Sequence, residues 1–531
     1  MAKASKSSNQ QPRTAGLLLH VTSLPGPYGV GDLGPAARTW VDALARARQT
    51  WWQILPLGPA GAGDSPYQCY SAFAGNPLLV SPDDLLADGL LMRDDLPADV
   101  LPQDRVDYRK AGALKSALLD RAWDRFQAGA GGRRLAGEFQ RFVQSNAPWL
   151  DDFALFMALR DAHGTSDWPQ WPRGIVRRQP APLREARDAL SGPVRRQQFA
   201  QFLFRRQLQA LRQYARNKGV GLIGDLPIFV SPDSADVWAN PHLFQLDRSR
   251  RPRAVAGVPP DYFSKTGQRW GNPLYDWDAM RRDGFAWWVA RARATLDQVD
   301  LVRIDHFRGF EAYWRIPAHL PTAERGRWVR APGRELFVRL REELGGLPFI
   351  AEDLGVITPE VEALRDEFAL PGMRVLQFAF GGGGADNPFL PHNYVPNAVV
   401  YTGTHDNDTT AGWFAGLDKT TRAAVRHYAP DGRSNGTWDP AQALIRSAWA
   451  SVADTAVAPL QDLLGLGSKA RMNRPGIGTG NWRWRFREGT LQGDRLDRLG
   501  ELTATYGRAV TPHVTAGQAQ RRRTRGDSTP P

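Results

Sequence analysis

The residues best suited to chemistry are Arg303 and Asp305, two positions apart in the segment Asp300–Gly309. Their neighbours are apolar or β-branched, which predicts a short buried strand. Side chains two positions apart leave a strand on the same face, so we expect the guanidinium to lie beside the carboxylate and favour its ionised form. Such a carboxylate could act as a nucleophile on a sugar. A salt bridge that closes one layer of a barrel is the structural alternative.

Four predicted strands end in an acidic residue: Asp225, Asp305, Glu352 and Asp406. In a parallel barrel these ends meet at one face, where active sites are built. One ionised and one protonated carboxyl suit the cleavage of a glycosidic bond. Glu352 follows an apolar run, so partial burial would favour its protonated form. A capping or salt-bridge role is the alternative for Glu352.

Alternating strands and helices must position these acids. The predicted strands are Gly16–Ser23, Gln49–Pro56, Gly221–Val230, Leu301–His306, Pro348–Asp353, Arg374–Phe380, Val399–Thr402 and Leu463–Gly467. The helices between them include 361–368, with Thr358 as its cap and Pro359 at its first position. Eight strands alternating with helices predict an α/β fold, a (β/α)8 TIM barrel.

Two stretches interrupt this alternation and are predicted as insertions. Residues from about 80 to 200 are mostly helical and polar, and residues 231–285 are rich in aromatic side chains. We expect residues 14–515 to form the catalytic barrel with these insertions. Residues 1–13 and 516–531 are polar or basic, which is typical of disordered tails.

The composition limits the cellular setting of this 531-residue chain. Its 42% hydrophobic and 23% charged residues are typical of a soluble globular protein. The single cysteine excludes an internal disulfide and favours a reducing compartment. The polar N-terminus lacks the apolar core of a signal peptide, and no apolar run is long enough to span a membrane, so we expect a cytoplasmic location.

The formal net charge is +13, which raises the question of nucleic-acid binding. Nearly half of this excess lies in the two predicted tails, and the remainder is modest for a body of this size. The charge therefore does not predict a nucleic-acid partner, although a basic tail that contacts RNA remains an alternative.

Six motifs resemble those of the 4-α-glucanotransferases, the amylomaltases or disproportionating enzymes of glycoside hydrolase family 77, which are relatives of the α-amylases. They lie in the family's order, and the resemblance as a whole covers nearly everything from about residue 14 to 510. The motifs are His-Val-Thr-Ser-Leu-Pro-Gly at 20–26, Asp-Ser-Pro-Tyr-Gln at 64–68, Arg-Ile-Asp-His-Phe-Arg-Gly at 303–309, Ala-Glu-Asp-Leu-Gly at 351–355, Thr-Gly-Thr-His-Asp-Asn-Asp-Thr at 402–409 and Arg-Met-Asn-Arg-Pro-Gly at 471–476.

The resemblance implies a retaining transfer of α-1,4-glucan segments between malto-oligosaccharides, starch or glycogen, in maltodextrin metabolism. It implies that Asp305 is the nucleophile, Glu352 the general acid and base, and Asp406 the carboxylate that grips the sugar hydroxyls. The residues that it implies in substrate binding are Tyr67, Asp225, Trp270, Arg303 and His405. No cofactor or metal is expected, and the chain is expected to be a monomer or a weak homodimer.

Several of these side chains have structural alternatives. Asp225 could only anchor its loop, and Trp270 could be a core ring beneath a loop instead of part of a lid. His405 and Asp406 are adjacent and would face opposite sides of a regular strand, so both reach one site only if the strand has already ended. We interpret His306 as a structural histidine, and Trp482 and Trp484 as packing residues.

The implied cycle forms a covalent glucosyl-enzyme that an acceptor 4-hydroxyl resolves in place of water. We expect the insertion at 231–285 to exclude water during transfer. An α-amylase-type hydrolase with the same carboxylates, and a glycogen-binding protein without activity, are the competing functions.

Overall fold

The computed structural model describes residues 12–260, 264–431 and 438–509. The strands are β1 (Thr14–Leu18), β2 (Trp51–Gln53), β3 (Gly221–Pro227), β4 (Ala254–Val258), β5 (Gln268–Pro273), β6 (Leu301–Asp305), β7 (Ala312–Pro317), β8 (Arg327–Arg330), β9 (Phe349–Ala351), β10 (Gly372–Val375), β11 (Ala398–Tyr401) and β12 (Thr455–Pro459). Eight of them close into a parallel barrel in the order β1-β12-β11-β10-β9-β6-β3-β2. The predicted (β/α)8 barrel is confirmed.

Helices lie in the connections between the barrel strands and after the last of these strands. They are α1 (Pro35–Arg46), α2 (Pro82–Ala87), α3 (Tyr108–Gln127), α4 (Gly132–His163), α5 (Arg173–Val176), α6 (Pro180–Ala189), α7 (Ser191–Asn217), α8 (Ala235–Ala239), α9 (Trp277–Arg282), α10 (Ala286–Leu296), α11 (Gly333–Leu344), α12 (Pro359–Glu367), α13 (Thr410–Gly416), α14 (Lys419–Tyr428), α15 (Pro440–Ala450), α16 (Leu460–Leu463) and α17 (Arg495–Thr505). The predicted cap Thr358 and first residue Pro359 stand at the start of α12.

The inside of the barrel changes from apolar to charged along the strands. Buried side chains from six barrel strands form one interior cluster, which includes Ile223 of β3 and Ile350 of β9. Asp225 follows Ile223 by two residues and therefore leaves β3 on the same inner face. In the register of β3 and β6, Asp225 lies opposite Arg303. Strand alternation thus places charged groups directly above an apolar interior, at the carboxyl ends of the strands.

The two stretches predicted as insertions have different structures. Residues 82–217 hold six helices, and α4 packs on α7 through Phe139 against Phe199 and Phe202. The other stretch contributes β4 and β5, which join β7 and β8 in an antiparallel sheet of order β5-β4-β7-β8. The domain limits at 80–200, 231–285 and 14–515 stay predictions.

Two local expectations were wrong. The last barrel strand is β12 at Thr455–Pro459, whereas Leu463 ends helix α16. The alanine-rich segment of β12 gave a weak strand pattern, and the leucines after it are buried on a helix instead. The first strand ends at Leu18, because a 3-10 helix begins at Val21.

The tails can be compared with the structure only in part. Arg13, counted in the predicted N-terminal tail, donates from Nη2 to the carbonyl oxygen of Trp449 at 3.0 Å and is therefore attached to the body. The rest of that tail up to residue 11, the tail at 516–531, and the predicted insertion residues 261–263 lie outside the described residues.

Candidate active site

Arg303 lies between two carboxylates at the upper end of the barrel. Its Nη1 contacts Asp225 Oδ2 at 2.7 Å and its Nη2 contacts Asp305 Oδ1 at 2.9 Å. The Arg303 side chain is 5% exposed and that of Asp305 is 29% exposed. A buried guanidinium thus fixes one oxygen of a carboxylate that still reaches the open face of the barrel.

Glu352 lies at the same height on the neighbouring strand. The register pairs Ile304 of β6 with Ala351 of β9, so Asp305 and Glu352 follow at the next position of strands about 4.8 Å apart. Glu352 Oε2 accepts the backbone N–H of His306 at 2.7 Å. Burial raises the pKa of Glu352 well above its usual range; Arg303 opposes this shift and the charge of Asp305 adds to it. The site therefore combines a carboxylate held by a guanidinium with a carboxyl that favours its protonated form.

Asp406 and His405 approach from the loop that follows β11. Adjacent residues of a regular strand would face opposite sides, but β11 ends at Tyr401. Both residues can therefore reach one site. His405 Nε2 lies 3.4 Å from Asp406 Oδ2, and Asn473 Nδ2 donates to Asp406 Oδ1 at 2.6 Å. The Asp406 side chain remains 46% exposed, which leaves it accessible from the cleft.

Tyr67 joins these two parts of the site. Its hydroxyl donates to Asp225 Oδ2 at 2.9 Å, and its ring stacks on His405 with centroids 5.0 Å apart and planes 18° apart. Trp482 packs beside both rings, at 5.9 Å from Tyr67 and 5.8 Å from His405. The three rings form an aromatic wall beside the carboxylates.

Asp225 differs from the other acids because its side chain has no exposed surface. Burial raises its pKa to about 7, while Arg303 opposes the shift. Its Oδ1 has no hydrogen-bond partner among the described residues. Asp225 therefore acts in this geometry through Arg303 and Tyr67, and direct binding of sugar hydroxyls by Asp225 stays a prediction.

Trp270 extends from β5 of the antiparallel sheet toward the carboxylates. Its ring meets the imidazole of His306 at 4.8 Å with planes 87° apart. Because His306 directly follows Asp305 and its N–H binds Glu352, Trp270 lies one side chain away from the acids. Its predicted place above the cleft stays a prediction.

Comparison with known proteins identifies the family. The sequence profile described as 4-alpha-glucanotransferase matches residues 19–491. The chain belongs to the 4-alpha-glucanotransferase family. It is 52% identical to the 4-alpha-glucanotransferase of Thermus thermophilus over 503 residues, covering 93% of this chain and 99% of the relative. It is 45% identical to the chloroplastic/amyloplastic 4-alpha-glucanotransferase of Solanum tuberosum over 504 residues, covering 93% and 86%.

Solved structures place the fold in the same family. The amylomaltase from Streptococcus agalactiae, determined in complex with acarbose, superposes with a TM-score of 0.90 at 39% identity, covering 93% of this chain and 99% of that one. The 4-alpha-glucanotransferase motifs thus lie on the fold that the family uses. The family's activity is the transfer of glucan segments, and this chain is an enzyme of that class.

Sequence reasoning overlooked three residues of this 4-alpha-glucanotransferase site. His306 was interpreted as structural, yet its backbone, which has a left-handed φ of 53°, donates its N–H to Glu352. Asn473 lies in one of the six motifs but received no role, although it binds Asp406. Trp482 was assigned to packing and instead borders Tyr67 and His405. His306 and Asn473 both carried a signal, their place in a motif, whereas Trp482 lies outside the six motifs.

Two negative findings apply to the described ranges 12–260, 264–431 and 438–509. They contain no group of three or more His, Cys, Asp or Glu side chains placed to hold a metal ion. They also contain no helix that is both long and apolar enough to cross a membrane.

Proposed function

We propose that this chain transfers α-1,4-glucan segments from a malto-oligosaccharide, starch or glycogen donor to the 4-hydroxyl of an acceptor glucose or glucan, with Asp305 as nucleophile and Glu352 as general acid and base. The observation that carries these roles is the placement of the two acids at one height on neighbouring strands. Arg303 holds Asp305, and burial favours the proton on Glu352.

In the first half of the cycle, Glu352 gives its proton to the glycosidic oxygen while Asp305 attacks the anomeric carbon. The bond between that carbon and the oxygen breaks, and the released glucan leaves with a new 4-hydroxyl. Arg303 binds Oδ1 of Asp305, which leaves Oδ2 as the attacking oxygen. The product is a covalent glucosyl ester on Asp305.

In the second half, the ionised Glu352 removes the proton from an acceptor 4-hydroxyl. The acceptor oxygen forms a bond to the anomeric carbon, and the ester bond to Asp305 breaks. Asp406, held by Asn473, faces the sugar hydroxyls, and the stacked rings of Tyr67 and His405 support the reacting glucose. The starting protonation states are thereby restored.

Transfer exceeds hydrolysis only when water is kept from the glucosyl ester. We assign this role to the residues around Trp270, which packs against His306 beside the acids. Trp270→Ala should raise the share of hydrolysis during turnover of maltotriose, measured as reducing ends formed per glucose released. An unchanged share would assign the exclusion of water to another element.

The function is tested by incubating the purified protein with maltotriose alone. A transferase produces glucose and a ladder of longer oligosaccharides without adding reducing ends. An α-amylase-type hydrolase adds one reducing end for each bond cleaved, and an inactive glycogen-binding protein leaves maltotriose unchanged. Either of these results would overturn the proposal.

We further infer a cytoplasmic protein that acts as a monomer or weak homodimer. The single cysteine, Cys69, supports a reducing compartment, and burial raises the pKa of its thiol to about 12. Cell fractionation tests the location, and light scattering tests the oligomeric state.

A further inference from the structure

One aromatic ring stands out among the large apolar side chains on the outside of the protein. Among the described residues, seven large hydrophobic side chains are exposed, and only one of them is aromatic. They are Met92, Val100, Trp328, Val356, Val395, Val452 and Ile477. Two of the seven residues meet the same buried arginine, Arg308, whose guanidinium stacks on the ring of Trp328 and donates to the backbone carbonyl oxygen of Val356. We call Trp328, Val356 and Arg308 the Trp328 patch.

The patch lies close to the proposed catalytic acids along the chain. Arg308 follows Asp305 by three residues, so their Cα atoms are at most about 11 Å apart. Val356 follows Glu352 by four residues, which limits that separation to about 14 Å. Arg308 Nη1 donates to the carbonyl oxygen of Val356 and so joins the two loops that leave these acids. The patch therefore borders the same face of the barrel as the acids.

The indole of Trp328 is held in place although it is exposed. The Arg308 guanidinium lies 3.7 Å from its ring centroid, and Trp314 meets it at 5.2 Å with planes 65° apart. Trp314 and Trp328 are direct partners in the antiparallel pair of β7 and β8. Gly326 permits this arrangement, because a Cβ there would lie 2.5 Å from the Trp314 ring. A ring fixed on both sides loses little conformational entropy when a ligand stacks on it.

The burial of Arg308 is a cost that the fold alone does not explain. Arg308 is only 5% exposed, and its Nε has no hydrogen-bond partner among the described residues. Burial of a charged group with an unpaired donor costs free energy, so the position of such a group needs an explanation. Here the guanidinium supports the underside of a tryptophan ring that is 37% exposed.

We propose that the Trp328 patch binds a glucose unit of a long α-1,4-glucan, beyond the units held by the carboxylates. This inference rests on the proposed function. A fixed, exposed indole offers a flat apolar surface on which the C–H face of a sugar ring can stack, with its hydroxyls left toward water. Arg330 leaves β8 on the same side as Trp328 and is exposed, so it can donate to those hydroxyls.

The test measures glucan binding without turnover. In an Asp305→Asn background, calorimetry compares the affinities for maltoheptaose and maltotriose with and without Trp328→Ala. The ratio of the two affinities should fall about two- to tenfold, the range of one aromatic contact, because only the longer chain reaches the patch. Trp328→Phe keeps a smaller ring and should lose less. The matched control is Val452→Ala, an exposed apolar residue just before β12, at the opposite end of the barrel.

Equal weakening of both ligands, or no weakening, would overturn the patch as a glucan site. So would a Trp328→Ala protein that changes its oligomeric state in light scattering while its affinity ratio stays the same, because the ring would then serve an interface. If Trp328→Ala does not fold, Trp328→Phe decides by the same ratio. Failure of the wild-type protein to disproportionate maltotriose would instead remove the proposed function, so the two failures are distinguishable.

Discussion

Two buried ion pairs in this molecule show what distinguishes a site from a structural contact. In the first, Lys115 donates to Asp32 Oδ2 and to the carbonyl oxygen of Val80, both at 2.7 Å. Asp32 Oδ1 accepts the N–H of Gly34 at 3.0 Å. The two side chains are 2% and 8% exposed. This pair binds the loop after β1 to α3, and both of its carboxylate oxygens are occupied.

The second set of buried charges is centred on Arg303. Unlike the first pair, it leaves buried polar atoms without hydrogen-bond partners among the described residues. One guanidinium meets the negative charges of Asp225 and Asp305, with Glu352 beside them. Asp225 Oδ1 and Arg303 Nε have no hydrogen-bond partner among the described residues. The difference teaches that burial of charge does not by itself indicate function. Excess like charge, unpaired buried atoms and an acid open to the cleft together indicate it.

The largest expected effect comes from Asp305→Asn. Loss of the proposed nucleophile should reduce turnover of maltotriose more than about 10⁴-fold, whereas the stability should hold or rise because a like charge is removed. Product analysis and thermal unfolding of the same preparation measure both quantities. An active, destabilised variant would make Asp305 a structural acid like Asp32.

Glu352→Gln should reduce kcat about 10²- to 10⁴-fold. The raised pKa of Glu352 means that the folded protein holds this proton more tightly than the unfolded chain. Rising pH therefore lowers the stability of the wild type above the usual glutamate range, and it removes the general acid as it passes the raised pKa.

A pH series separates these consequences. Glu352→Gln should be more stable than the wild type at neutral pH, and this advantage should disappear below the ordinary glutamate pKa of 4.5. The fall of wild-type activity at high pH should be absent from the variant. If the variant shows the same fall, a group other than Glu352 causes it.

Asp32→Asn should have the opposite effect to Asp305→Asn, because it should lower stability and leave activity unchanged. It leaves the Lys115 charge buried without its partner and should lower the free energy of unfolding by about 3–5 kcal/mol. The activity per folded molecule should remain, since neither side chain belongs to the candidate site. Denaturant unfolding together with active-site titration checks both statements, and a selective loss of kcat would contradict the comparison.

Asn473→Ala should have the smallest effect. It removes a hydrogen bond to the charged Asp406, so kcat/KM should fall about 10- to 100-fold. Asn393→Ala is the matched control, because among the described residues the amide of Asn393 donates to backbone carbonyls of Ala385 and Asn387 and to no other group. If the two substitutions lower kcat/KM equally, Asn473 has no specific role in the site.

Much of the fold could be predicted because barrel strands carry a local signal. A short apolar run that ends in an acid marks β3, β6 and β9, and alternation within β6 sets Arg303 and Asp305 on one side. The weak pattern of β12, rich in alanine and ended by a proline, misplaced the last strand. Local periodicity reports burial over a few residues and fails where the side chains are small.

The sequence by itself determined the barrel, the acids at its strand ends and the family motifs. Only the tertiary structure decided that Asp225 is buried behind Arg303, that the N–H of His306 binds Glu352, and that Asn473 holds Asp406. The partners in these contacts come from different strands and loops. Their distances, and the desolvation that raises the pKa of Glu352, arise when the barrel closes, and no local pattern of residues encodes them.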